Sequence, residues 1–416
     1  MSAVETHHEA SPPSPVVLIV TTSQLPSTAR LVMEFAHAGA RVVLLSPRDH
    51  PARVTDVLSD ALTFHAINPV GCLERAMTDV RADLVLPCDE RAVRLMHRLH
   101  EKTTQPGVRQ LIERSLGPPQ SFPVATTRHD LLMLAHHANV RTPRSMPLGS
   151  IDDLSTWAAD QPFPWVVKAD GSWSGFGVRV VHDLAAAQAA YEDLIRPITL
   201  YYAVREAFIE RNYFSIAPWF RRDRACISVQ SYVDGWPANC AVACWNGKVL
   251  AGICAESVTT ESATGPSSVA RVIDNPEMLD AAERVVARLG LSGLVGFDFM
   301  IEASTGTPYM IEMNPRCTPI ATVRLGPGRD LTAALVQQLT GGPPRERPAV
   351  TERDIIVFFP HTWEFTPDSP FLHTGYHNVP WEQPALVRAL VRAERRERSW
   401  ILRHLRKALL AWRRRR

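Results

Sequence analysis

Five consecutive apolar residues, Val16-Val17-Leu18-Ile19-Val20, open the readable pattern of the chain. A continuous β-branched run of this kind predicts a strand buried on both faces. After a polar turn, Leu31, Phe35 and Ala38 recur at helical spacing. Gly39 stops that helix, and Arg41-Val42-Val43-Leu44-Leu45 makes the next strand. Strand, helix and strand in this order predict a parallel sheet with a right-handed crossover. Asp83-Leu84-Val85-Leu86-Pro87 predicts a further strand, and a helix through Met96 follows Cys88-Asp89-Glu90. The expectation for residues 16–120 is a small, doubly wound α/β domain, preceded by a Pro/Ser-rich leader over 1–15 that is expected to be disordered.

From Phe122 the pattern changes. A helix runs from Arg128 to about Ala138, the strand Trp165-Val166-Val167-Lys168 follows, and a glycine-rich turn leads to Val178-Arg179-Val180-Val181. Those two strands read as a hairpin, with an alanine-rich helix, Leu184 to Ile195, behind it. Strands recur around Val204, Ile227, Val249 and Phe297 with few long helices, which is α+β in character over 121–342. Its first part, 121–203, reads as a subdomain apart from 204–342. The remainder, 343–416, is an extension with a strand at Asp354 to Phe359 and an irregular Pro-rich stretch to Pro384. At its end Trp400, Ile401, Leu405, Ala408, Leu409 and Trp412 lie opposite Arg403, Arg406 and Lys407. Residues 399–416 thus read as a basic amphipathic helix, suited to an anionic membrane surface or to packing on its own domain.

Composition narrows the function classes. No apolar stretch reaches the ~18 residues of a membrane-crossing helix, and no basic start followed by an apolar run marks a secretory signal. Seven cysteines form no Cys-x-x-Cys pair, so neither a disulfide framework nor a zinc site is expected. A cytoplasmic protein is expected, peripheral at the inner membrane face if the tail docks there. The net charge of +2 conceals a tail, Arg388 to Arg416, of +10 and a body of −8. An acidic body argues against nucleic acid as a partner. No Gly-x-Gly-x-x-Gly follows the first strand, which disfavours a nicotinamide cofactor, and no Gly-x-Ser-x-Gly elbow marks a hydrolase.

Two stretches carry chemistry. Phe297-Asp298-Phe299-Met300-Ile301-Glu302 and Tyr309-Met310-Ile311-Glu312-Met313-Asn314-Pro315-Arg316 are joined by Ala303-Ser304-Thr305-Gly306 and predict an antiparallel hairpin. Side chains alternate along a strand, so Asp298 shares a face with Gly296 and Met300, and Glu312 with Asn314 and Met310. Asp298, Glu312 and Asn314 can then converge on one hard cation, since all three offer oxygen. Arg316, two residues on, is placed to present its planar fork to a phosphate. In the second stretch Lys168 ends an apolar strand, in a chain whose 45 basic residues include four lysines. A compact point charge is favoured there. The glycines and serines of Gly171 to Gly177 form a loop whose N–H groups suit phosphate oxygens.

The order of lysine strand, glycine-rich hairpin, Glu206-Ala207-Phe208-Ile209, Phe297-Asp298-Phe299 and Ile311-Glu312-Met313-Asn314-Pro315-Arg316 resembles the ATP-grasp superfamily, over roughly 16–342. The resemblance implies an α+β fold gripping ATP and a Mg²⁺ (or Mn²⁺) ion. It also implies a carboxylate activated as an acylphosphate and coupled to an amine, less readily to a thiol. Carried over, Lys168 and Arg128 contact the ATP phosphates, and Gly171, Ser172, Gly175 and Gly177 belong to the flap above them. Glu206, Phe208 and Ile209 read adenine and support the ribose, where Glu210 stands in place of the usual glycine. Asp298, Glu312 and Asn314 hold the metal, and Arg316 steadies the transferred phosphoryl group. Glu256 and Ser257 fall in a region that often faces the acceptor substrate in such enzymes, and Arg324, ahead of Gly326-Pro327-Gly328-Arg329, could bind the substrate carboxylate or belong to a surface loop. The partners implied are small-molecule carboxylate and amine substrates, and a homodimer stays open. A nucleotide-binding sensor or scaffold at a membrane surface, without ligase turnover, is the alternative.

Overall fold

The computed structural model describes residues 14–170, 177–197, 199–200, 216–222, 224–260, 267–342 and 346–395. Residues 1–13 of the expected leader, the flap residues Gly171, Ser172 and Gly175, the segment holding Glu206, Phe208, Ile209 and Glu210, and the expected basic helix over 399–416 lie outside them.

The N-terminal sheet is parallel, four-stranded and ordered β3-β2-β1-β4. Its strands are β1 (Val16–Val20), β2 (Arg41–Ser46), β3 (Asp60–Thr63) and β4 (Leu84–Pro87), linked by helices α1 (Pro26–His37) and α2 (Pro69–Val80) and followed by α3 (Glu90–Lys102) and α4 (Pro106–Leu116). Strand residues alternate between two cores. Val17, Ile19, Val42, Leu44, Leu84 and Leu86 pack with α1, whereas Leu18, Val20, Val43, Leu45 and Val85 pack with α2, α3 and α4. Burial on both faces is why these strands read as unbroken apolar runs. Asp89 caps α3 by accepting from the Ala92 N–H at 2.9 Å, and Asn68 caps α2 through the Gly71 N–H at 3.1 Å. Each satisfies one of the donors that a helix start leaves open.

Helices α5 (Phe122–Thr126) and α6 (Arg128–His137) lead to a four-stranded antiparallel sheet ordered β5-β8-β6-β7. It comprises β5 (Ser145–Leu148), β6 (Trp165–Ala169), β7 (Val178–Val181) and β8 (Ile227–Ser231), covered by α7 (Asp153–Asp160) and α8 (Leu184–Leu194). The sheet has its own core of Leu154, Trp157, Trp165, Val167, Ala187, Tyr191 and Val229, separate from the others.

The largest sheet has seven strands in the order β13-β12-β9-β10-β11-β14-β15. Its members are β9 (Gly235–Trp245), β10 (Lys248–Thr260), β11 (Ser267–Ile273), β12 (Gly293–Glu302), β13 (Pro308–Asn314), β14 (Ile355–Val357) and β15 (Tyr376–His377). One face packs on α6 and α9 (Pro276–Leu289) through Val242, Val285, Val295, Phe297, Phe299 and Met310. The other shares a core with α1, with α10 (Leu331–Thr340) and with Leu386 and Leu390 of a helix over 384–395. That shared core fuses the N-terminal sheet to the large one.

Among the described residues no helix is long and apolar enough to cross a membrane.

Candidate functional site

Strand β12 sits between β9 and β13, with Asp298 opposite Asn239 on one side and opposite Glu312 on the other. The neighbours of Asp298 along the strand, Phe297 and Phe299, are fully buried in the core below the sheet. Alternation therefore turns Asp298 to the other face, toward Lys168 of the small sheet. One feature of the hairpin departs from simple alternation. The register slips between Asp298/Glu312 and Phe299/Met310, so Ile311 is an extra residue in β13. Met310 is consequently buried beside Phe299 in the core and does not share the face of Glu312. A β-bulge of this kind re-aims the residue beyond it, and here it keeps Glu312 and Asn314 beside Asp298.

The carboxylate of Asp298 accepts from the Asn239 amide at 2.6 Å and from the Asn314 amide at 2.8 Å. Asn314 accepts through its own oxygen from the Arg316 guanidinium at 3.0 Å. Thr318 donates to the Asn239 oxygen at 3.2 Å and sits over Gly296, where a Cβ would lie 2.2 Å from the Thr318 methyl carbon. Glycine there is a steric requirement. Burial, with Glu312 facing it, raises the pKa of Asp298 above the usual carboxylate range, against the pull of the two amides.

Lys168 approaches from β6. Its strand neighbours Val167 and Ala169 fill the core of the small sheet, so Lys168 projects the other way, toward Arg128, Glu312, Asp298 and Asp170. It is 6% exposed. Burial and the Arg128 charge lower its pKa from 10.5 to about 8, against the three acids that raise it.

Arg128 is the first residue of α6. It donates to the Ala169 carbonyl at 2.5 Å and to Glu312 at 2.8 Å, and lies 3.6 Å from Asp170. Its side chain is 11% exposed. Although burial works against the charge, Glu312 and Asp170 raise the Arg128 pKa on balance. Asp170 is itself pushed up by burial, with Arg128 opposing. One guanidinium thus ties the end of β6 to the hairpin of the large sheet.

Lys168, Arg128, Asp298, Glu312, Asn314 and Arg316 are brought together, and Gly177 closes the hairpin below by accepting from the Ala169 N–H at 2.9 Å. Two neighbours of this group escape sequence reasoning. Asn239 leaves a faint trace as an amide within the apolar run Ala238 to Ala243. Asp170 follows Lys168 closely, but only the fold turns it to Arg128. Three candidates are not brought in. Glu256 accepts from Trp236 at 2.8 Å and from Arg271 at 2.7 Å, on the face of β10 that carries Cys254, opposite to that of Asp298. Ser257 pairs with Ala270 at the far side of β10. Arg324 is half-buried beside Tyr376, and its Nε has no hydrogen-bond partner among the described residues.

A family model described as an ATP-grasp domain matches residues 137–319. The chain carries an ATP-grasp domain. The match spans the small sheet and the β12–β13 hairpin, while Arg128 lies just ahead of it. Solved structures of the same fold include N5-carboxyaminoimidazole synthetase from Staphylococcus aureus complexed with ADP. It is 15% identical with a TM-score of 0.56, over 82% of each chain. The L-amino acid ligase from Bacillus licheniformis is 13% identical at a TM-score of 0.53, over 81% of this chain and 76% of that one. The biotin carboxylase domain of Hydrogenobacter thermophilus 2-oxoglutarate carboxylase, with MgADP and bicarbonate, is 14% identical at 0.55, over 80% and 71%. No curated protein sequence matches the chain.

Proposed function

We propose that the ATP-grasp domain serves an ADP-forming ligase, which uses Mg-ATP to phosphorylate a small-molecule carboxylate and couples the acylphosphate to an amine, less readily to a thiol. The observation that carries this reading is the meeting of three cationic side chains, Lys168, Arg128 and Arg316, with the carboxylates of one hairpin. Phosphoryl transfer depends chiefly on position and charge neutralisation, and these are the parts it needs.

The donor set fits a hard divalent cation. Asp298 and Glu312 stand in register on adjacent strands, and the Glu312 charge adds to burial in raising the Asp298 pKa, a repulsion that a cation between them would relieve. Asn314 adds a third oxygen, and one or two carboxylates with phosphate oxygens suffice for Mg²⁺. Held there, the cation would supply charge neutralisation for the transferred group. In this reading Lys168 grips the phosphates from the small sheet and Arg128 from the start of α6. Arg316 aims its fork at the phosphoryl group in transit, steadied by Asn314. Asn239 keeps the Asp298 carboxylate oriented. The carboxylate substrate attacks already ionised, so the chain has to position it rather than deprotonate it. Gly171 to Gly177 would cover the phosphates and exclude water from the acylphosphate. Glu206, Phe208, Ile209 and Glu210 are assigned to adenine and ribose.

Titration of MgADP into the protein tests the reading. Saturable binding at one site per chain is expected, lost with Glu312→Ala although that variant folds. Equal binding by wild type and Glu312→Ala would remove Glu312 from the cation site.

A further inference from the structure

In the described structure Glu312, proposed to hold the cation, is already neutralised from within. The Arg128 guanidinium donates to its Oε1 at 2.8 Å and also meets Asp170 at 3.6 Å and the Ala169 carbonyl at 2.5 Å. Both ends of this bridge are anchored. Arg128 begins α6, which packs on the large sheet through Leu131, Leu132 and Ala135, whereas Ala169 and Asp170 belong to the end of β6. An arginine with two acids and a carbonyl around it is a positioned group, not a solvated surface charge. Its pairing with Glu312 has a chemical consequence. A divalent cation entering beside Glu312 meets a resident positive charge, and a guanidinium and a metal cannot share one carboxylate edge without repulsion. Nucleotide phosphates change the balance, because they are the stronger partner for a planar guanidinium. Once Arg128 turns to phosphate, Glu312 is released.

We propose that Arg128 serves as a stand-in cation on Glu312, so that the protein admits its divalent metal only together with nucleotide. This rests on the ligase reading above for the place of the metal, and it adds an order of binding. Metal and nucleotide then bind with positive coupling, each raising the affinity of the other by the same factor. Asp170 keeps its hold on the guanidinium through the exchange, which makes it a positioning residue for Arg128 rather than a group that touches substrate. The small sheet, with a core of its own, can shift as a body when the bridge to Glu312 is broken.

The test uses Mn²⁺ alone, followed by electron paramagnetic resonance on nucleotide-free protein. Wild type is expected to bind Mn²⁺ weakly. Arg128→Met removes the resident charge and should tighten Mn²⁺ by about fivefold or more, the lower end of ordinary coupling between sites. Adding Glu312→Gln to Arg128→Met should cancel that gain. Should the methionine variant fail to fold, Arg128→Gln keeps a donor for the Ala169 carbonyl without the charge, with the same expectation. The proposal is overturned if neutral variants bind Mn²⁺ no more tightly than wild type, or if the gain survives Glu312→Gln. MgADP binding to wild type is measured alongside. Its absence would refute the ligase reading, whereas the Mn²⁺ comparison decides the role of Arg128 in either case.

Discussion

Lys168 provides a pH signature that few other placements would produce. Its ammonium is buried, stands beside the Arg128 charge, and has its pKa brought from 10.5 to about 8. In the unfolded chain the same lysine stays charged to far higher pH. The sign for stability follows: below about 8 both states hold the proton, and stability rises between the folded and unfolded values as the native state sheds its buried charge first. Nucleotide binding moves the other way, because a phosphate needs the charged form. With a folded pKa of about 8, about nine-tenths of Lys168 is charged one pH unit lower and about one-tenth one unit higher. If only the charged form binds, the Kd for MgADP rises by approaching ~10-fold per pH unit above that value. Binding then takes up a proton, which titration calorimetry detects in buffers of different ionisation enthalpy. Lys168→Met should bind weakly at every pH and show no such slope, and Lys168→Arg should lose the slope while keeping a charge. A wild-type Kd that stays flat across this range, or a slope that persists in Lys168→Met, would refute the assignment.

Further substitutions probe the scaffold. Asp89, buried at the end of β4, accepts from Thr21 at 2.9 Å and from the Thr22 N–H and hydroxyl at 2.6 and 2.8 Å, besides capping α3. Asp89→Ala should cost about 3 kcal/mol, since several buried donors lose one charged acceptor, and the urea midpoint reports it. Little change in that midpoint would show that water replaces the carboxylate without loss. Gly296→Ala places a methyl 2.2 Å from Thr318, displacing the hydroxyl that positions Asn239. A loss of about 1–3 kcal/mol is expected, with weaker MgADP binding, and unchanged values for both would show that Thr318 moves freely. Asn239→Leu leaves one oxygen of the half-buried Asp298 without its donor and should weaken Mn²⁺ binding in the presence of ADP. Full metal affinity in that variant would remove Asn239 from the site.

The sequence was most legible where burial is symmetric or alternation strict. The runs Val16 to Val20 and Arg41 to Leu45 predict β1 and β2 because both faces of these strands meet a core. Asp298, Glu312 and Asn314 fall on one face because a charged residue amid Phe297, Phe299 and Met313 has one way to point. What stayed hidden depends on partners remote in sequence. Strand β3 is short, partly exposed and paired along one edge only, so it leaves little pattern. The bulge at Ile311 changes the side of Met310 without a glycine or proline to announce it. Asn239 joins the site through the β9–β12 register, which no local spacing encodes. Glu256 looked like a substrate contact because of its neighbours in sequence, yet a shift of one residue along β10 places it on the opposite face. Strands β14 and β15 extend the large sheet although the segment beyond 342 reads as an appendage.

The central claim, phosphorylation of a carboxylate where Lys168 and Arg128 meet the β12–β13 hairpin, is tested most directly by the fate of a labelled oxygen. The protein is given Mg-ATP, a panel of amines and a panel of carboxylates bearing oxygen-18, and the released phosphate is examined by mass spectrometry. The account predicts ADP and phosphate only when both the right carboxylate and the right amine are present, with one labelled oxygen carried into each phosphate. Release of AMP and pyrophosphate, or of phosphate carrying no label while product forms, would contradict it.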